Sequence, residues 1–258
     1  MKSRLTIAFA FMLAIGLLSM GIQSCKKGAD DPFISFRSRK ARVVGDWRIA
    51  QAKSTTNQVE TLTNGTQTKT DITVETDAGQ TTSTTTISGI SPSVLTYDEE
   101  TTYSFAKDGT WSSEKKVVTT FIDTMVIGFN NDYYQQTTVS NIVTESTGNW
   151  NFLGNVGEAK NKENLSIQTM TSKETVIIDR SFVGITPGAP AFPAEKKTII
   201  TENKYFNAHE IWQLTELRNN TIKVSQNGTE SYSKTINGDQ SGSITESSFE
   251  GTMTLEAK

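Results

Sequence analysis

This chain is poor in the residues that most often carry chemistry. Its 258 residues include one Cys and one His. A structural zinc site takes about four Cys or His ligands and an internal disulfide takes two Cys, so neither is available. Acidic and basic residues nearly balance, 28 against 25, for a formal net charge of −3 and no basic footprint for nucleic acid. Proline is scarce at five, and apolar residues make up only 35%. What the chain has instead is hydroxyl: 39 Thr and 25 Ser. Thr at that level favours extended backbone, because a β-branched side chain loses rotamers against a helical turn.

The one long apolar run lies at the N-terminus. Lys2 and Arg4 precede an apolar stretch from Leu5 to Leu18, then small and polar residues, then Cys25. This is the layout of a secretory signal. A spanning helix from Leu5 to Ile22 is the rival on length alone. The run Ile22-Gln23-Ser24-Cys25 resembles a bacterial lipobox. The resemblance implies a signal peptide over 1–24, cleavage before Cys25, and lipid attached at Cys25. Each buried methylene adds about 0.8 kcal/mol of membrane affinity, so two or three acyl chains anchor a protein without a spanning helix. The mature chain would then carry 23 basic and 28 acidic residues, net −5.

Residues 25–42 read as a lipidated flexible tether, polar and basic, with Arg37, Arg39, Lys40 and Arg42 close together. Lys26-Lys27-Gly28-Ala29-Asp30-Asp31 looks like the tether of lipoproteins from the Bacteroidota, in which an acidic pair behind the lipidated Cys directs surface export. The resemblance implies an outer-membrane protein, surface-exposed rather than periplasmic.

From Val43 to Lys258 strand-like runs are punctuated by Asn64-Gly65, Asp108-Gly109, Asn227-Gly228 and Asn237-Gly238. Such dipeptides supply the positive φ of tight hairpins. Period-two alternation accompanies them: Tyr103 with Phe105, Trp150 with Phe152, and Phe249, Gly251, Met253 and Leu255 against Glu250, Thr252, Thr254 and Glu256. One apolar face and one wet face describe an antiparallel sheet buried on one side. Residues 54–93 hold 19 Ser or Thr in 40 positions and read as a long exposed hairpin. Residues 186–193, with three of the five prolines, read as a loop.

Gly45-Asp46-Trp47 at the start of this region resembles the Gly-x-Trp of lipocalins. There the Gly bends the first strand and the Trp plugs the closed end of a barrel. Tyr103-Ser104-Phe105-Ala106-Lys107-Asp108-Gly109-Thr110-Trp111, Gly148-Asn149-Trp150-Asn151-Phe152 and Glu210-Ile211-Trp212-Gln213-Leu214 look like later pieces of lipocalin-like lipoproteins of the Bacteroidota. The expected fold is an all-β, antiparallel up-and-down barrel, lipocalin-like, of about 8–10 strands, occupying 43–258. In that family an Arg near the last strand covers the Trp, and Arg218 is the candidate here.

Chemistry has few places to sit. His209 lies among aromatics on an expected strand and reads as a packed or surface residue. No Gly-x-Ser-x-Gly elbow and no Asp-x-Asp-x-Asp-Gly calcium loop occurs. Asp98-Glu99-Glu100 is the densest acidic cluster and could serve a carboxylate-pair hydrolase, although a solvated strand end is the usual meaning. Asp123-Thr124-Met125 matches the Asp-Thr-apolar pattern of O-glycosylation in the Bacteroidota, which implies Thr124 as an acceptor. No metal, no cofactor and no enzyme activity are expected. The expected function is a membrane-anchored module binding a small apolar or glycan ligand, with ligand-binding residues unassigned. The alternative is a filled barrel that acts through its outer surface on an envelope protein partner.

Overall fold

The computed structural model describes residues 38–62, 64–127, 132–153, 164–189, 191–235 and 242–258. Cys25 and the signal and tether residues up to Arg37 lie outside them, as does Asn237-Gly238. Ten antiparallel strands follow one short helix: α1 (Arg39–Val43), β1 (Gly45–Leu62), β2 (Gln67–Asp77), β3 (Gln80–Ile87), β4 (Ser93–Phe105), β5 (Thr110–Ile127), β6 (Asp132–Phe152), β7 (Asn164–Gly184), β8 (Glu195–Leu217), β9 (Thr221–Thr235) and β10 (Gly242–Ala257). Each strand pairs with the next, and β1 pairs with β10 to close an up-and-down barrel.

The strand count differs between the two ends. At the closed end β1 also pairs directly with β4, Gly45–Arg48 against Phe105–Thr102. There the wall has eight strands. Farther along, β1 turns from β4 to β2, and β3 takes up the other side of β4. The Thr-rich hairpin β2–β3 is thus laced into the wall as a wedge. A bulge at Ala50 marks the point where β1 changes partner. The wedge's tip, Asp77-Ala78-Gly79-Gln80, turns through positive φ at Ala78 and Gly79.

Closure is also confined to this end. The β4–β5 ladder stops at Asp98–Val118, and β8–β9 runs only from Leu217–Ile222 to Gln213–Ser225. Beyond those points the described residues form two separate sheets. One has the four long strands β5 to β8; the other is β9-β10-β1-β2-β3-β4.

Hydrophobic residues fill the closed end. Trp47, Phe105, Trp111, Trp150, Leu165, Trp212, Leu217, Ile222 and Leu255 are all buried in one cluster. Their alternation along each strand brings them to the inner face, as read from the sequence. Burying an aromatic ring of this size removes about 150–250 Å² from water, so these residues dominate the core energy. Helix α1 covers the end. Ser38 Oγ caps it by accepting from the Ala41 N–H at 3.1 Å, and the buried Arg42 donates to the Leu217 carbonyl.

One expected turn is not a turn. Asn227-Gly228 lies inside β9, with Gly228 opposite Phe249. A Cβ at 228 would come within 2.4 Å of the Phe249 ring, so this glycine makes room for an aromatic neighbour. Asn64-Gly65 and Asp108-Gly109 do form the β1–β2 and β4–β5 turns, each Gly at positive φ.

Candidate functional site

The four Trp indoles are 2–6% exposed, which leaves none as an open stacking platform. Trp47 is fully packed at the closed end and its Nε1 donates to the Val43 carbonyl at 2.8 Å; Gly45 before it sits at φ +145°. The arginine beneath this floor is Arg42 of α1, bound to Leu217. Arg218, the candidate from the resemblance, pairs with buried Glu216, which also meets Lys223 at 2.6 Å. Among the described residues no group of three or more His, Cys, Asp and Glu could hold a metal ion.

Directly above the aromatic floor the inner face turns polar. Strand β4 supplies Tyr103, Thr101 and Glu99 at alternate positions. Tyr103 packs edge-on against Trp212, centroids 5.2 Å apart. Glu99 receives Lys115 of β5 at 2.8 Å, with Thr101 and Thr81 hydroxyls donating at 3.4 and 3.5 Å. Thr81 and Thr76, both buried, share a further hydroxyl contact of 2.8 Å. Across the floor β8 supplies Glu210. Its Oε2 accepts from Trp212 Nε1 at 3.1 Å and from Gln226 Nε2 of β9 at 3.2 Å. Burial first, then the carboxylates of Glu210 and Glu99, push the Tyr103 hydroxyl well above the ordinary tyrosine range. Both carboxylates therefore flank one phenol at the base of the open side.

Glu99 is the inward member of the acidic cluster; Asp98 and Glu100 share the outer face, as strand alternation predicts. They line a recess of about 770 Å³ on the outer wall, where β1 and β4 part around the wedge's tip. Arg48 and Lys116 there are paired with Glu256 at 3.6 Å and Glu114 at 2.6 Å. A second recess of about 320 Å³ lies between Ile178 and Arg180 of β7 and Glu195 and Lys197 of β8. His209 is exposed on β8. Thr124 is exposed on the outer face of β5, and its backbone N–H donates to Asp123 Oδ1 at 2.7 Å.

Lys115, Glu210 and Gln226 were missed by the sequence reading. One signal was present: Glu210 shares strand parity with Trp212 and Leu214, and Glu99 shares it with Tyr103 and Phe105. A charged residue at the parity of core aromatics points inward.

No family model and no curated protein matches the chain. Among solved structures there is a similarity to the secretin InvG of the Salmonella SPI-1 type III secretion injectisome in its open gate state. It has 8% identity and a TM-score of 0.14, and it covers 81% of this chain and 57% of that one. A TM-score that low carries no argument. The described residues form an all-β antiparallel up-and-down barrel of ten strands.

Proposed function

We propose that this protein is a lipid-anchored, non-enzymatic lipocalin-like module of the outer membrane, held through Cys25 with its barrel at the cell surface, that binds a glycan. The observation that carries the binding half is the polar ring over the aromatic floor. Glu210, Gln226, Glu99, Lys115 and the Tyr103 hydroxyl converge on one side of a closed, ring-lined base. Carboxylate, amide and hydroxyl groups over aromatic carbon suit a ligand with many hydroxyls and an apolar ring face. An apolar ligand fits less well, because the closed end is already filled with side chains and the groups directly above it are polar. The lipobox at Ile22-Gln23-Ser24-Cys25 supports the anchor.

The test is calorimetric titration of the full chain with a panel of soluble oligosaccharides and, in parallel, fatty acids. A saccharide should bind, and Glu210→Gln should weaken it by about tenfold or more, since hydrogen bonds to a charged group contribute about 1.5–3 kcal/mol. Binding of fatty acids alone, or saccharide binding indifferent to Glu210, overturns the reading. A second reading, a barrel acting through its outer surface, is favoured by one observation: among the described residues the four-stranded sheet has open edges.

A further inference from the structure

Above the aromatic floor the register sets side chains in rows across the inner face of five strands. Tyr103 of β4 stands opposite Ser113 of β5, followed by Ser146 of β6, Ser172 of β7 and Asn203 of β8. The next row is Thr101, Lys115, Thr144, Glu174 and Thr201. Only then does this face turn apolar, with Val117, Ile142, Val176 and Ile199 side by side. The outer face at the same height is built otherwise. Its row is Glu114, Glu145, Lys173 and Glu202, where Lys173 meets Glu145 at 3.9 Å and Glu114 takes Lys116 at 2.6 Å. The two inner rows are mostly neutral hydroxyl and amide, and few of these groups are engaged within the protein. Ser146 and Ser172 share a contact of 3.3 Å, and Thr101 donates to Glu99. Among the described residues Ser113, Thr144, Thr201 and Asn203 make no side-chain hydrogen bond.

The two ends of this polar band differ. At β4 it is walled, because β4 pairs with β5 through both rows. At β8 it runs out at a seam. The β8–β9 ladder ends at Gln213–Ser225, short of Asn203 and Thr201, and the Glu210–Gln226 hydrogen bond lies at the foot of the opening. On the facing wall the inner positions past Ile49 are Ala52 and Ser54 of β1 and Gly251 of β10, which leaves depth between the walls. Adjacent strands lie about 4.8 Å apart, so the band spans about 19 Å from β4 to β8. An extended chain of β-linked sugars advances by nearly the strand spacing per unit and carries hydroxyls along both edges. We infer, resting on the glycan reading above, that the ligand is a linear, extended, β-linked oligosaccharide lying across the strands. One end sits against Tyr103 and Glu99; about four units fill the band, and any longer chain leaves through the seam between β8 and β9. A single sugar meets only a fraction of the rows, and a coiled α-linked chain cannot follow them.

The test is calorimetric titration of the full chain with β-1,4-linked oligomers of glucose and of N-acetylglucosamine, from one to six units. α-1,4-Linked glucose oligomers of the same lengths serve as the coiled counterpart. Affinity for a β-linked series should rise at least about threefold with each unit up to four and level off beyond. Asn203→Ala, at the seam, should weaken the four-unit ligand about fivefold, the share of one hydrogen bond. It should leave the two-unit ligand, lodged at the walled end, unchanged. Thr198→Ala, on the outer face of β8, should change neither. Asn203 is exposed, and unchanged near-ultraviolet circular dichroism certifies the fold of each variant. Equal affinity for two and four units overturns this inference and leaves the glycan reading standing. So does a preference for α-linked chains, or a four-unit ligand indifferent to Asn203→Ala. No binding by any saccharide overturns both.

Discussion

Two aromatic residues on one strand show how differently the two ends of this barrel are made. Trp111 and Phe121 both lie on the inner face of β5, ten residues apart, yet Trp111 is 6% exposed and Phe121 is 63% exposed. The same contrast runs along β10, from Leu255 at 0% to Phe249 at 39%. Inward parity is therefore not burial. At the closed end the wall is complete, so rings from β1, β4, β5, β6 and β8 enclose one another and exclude water. Beyond the last β4–β5 and β8–β9 pairs the two sheets part. An inward side chain there has a neighbour beside it but no opposite wall, except Tyr134, which Phe192 packs against and which is 2% exposed. Hydrophobic stabilisation should concentrate in the closed end, while the long strands beyond rely on their backbone ladders.

The hardest way to break this contrast is at its floor. Trp212 is 2% exposed, touches Tyr103 and Phe105 edge-on, and anchors Glu210. Trp212→Ala should cost about 3–5 kcal/mol, measured by urea denaturation followed through the remaining Trp fluorescence. A loss below about 1 kcal/mol would mean the closed end is not the core.

Next comes Gly148, where β6 crosses the floor opposite Trp111. A Cβ there would lie 1.8 Å from the Gln168 carbonyl oxygen and 2.8 Å from Trp111 Nε1. Both are partners in one hydrogen bond of 3.0 Å. The backbone of β6 or β7 has to move, so Gly148→Ala should destabilise by about 1–3 kcal/mol. Gly65→Ala, at an open turn with nothing near its Cβ, should cost less in the same assay.

These two sites also show what the sequence makes legible. Alternation around Tyr103, Trp150 and Met253 places the core side chains on the inner face, and hydroxyl-rich composition with Asn-Gly and Asp-Gly turns points to antiparallel strands. The wedge was harder. Nothing in residues 54–93 announces that β1 changes partner at Ala50, because a bulge is a relation between two strands and leaves little trace in either. Lys115 reaches Glu99 across the β4–β5 ladder and Gln226 reaches Glu210 past the bulge at Thr215, and only barrel closure sets the two pairs on either side of Tyr103, so their convergence is invisible along the chain. Asn227-Gly228 misled for a related reason: glycine relieves crowding from a cross-strand ring as readily as it makes a turn.

Alkali should probe the boundary between floor and polar ring. Burial and two carboxylates raise the Tyr103 hydroxyl above its ordinary value, so the folded state keeps this proton after the unfolded chain has lost its own. Its contribution to stability is intact below the unfolded tyrosine pKa of about 10 and falls as pH rises beyond it. Thermal unfolding midpoints should drop over this alkaline range. Tyr103→Phe should flatten the drop relative to wild type; parallel curves would mean that the phenol is solvated.

The smallest effect should come from Phe121→Ala, and its size matters because of what it is compared with. Phe121 is a large aromatic on an inward face, so composition alone would put it in the core and assign it about 3–5 kcal/mol. At 63% exposure most of its surface already meets water in the folded chain. Truncation leaves no closed cavity and removes little buried area, so the chain should lose no more than about 0.5 kcal/mol. Urea denaturation followed by Trp fluorescence measures this loss. A loss comparable to that of Trp212→Ala would show that the two sheets close over Phe121 in solution, and the contrast between a filled base and open wings would collapse.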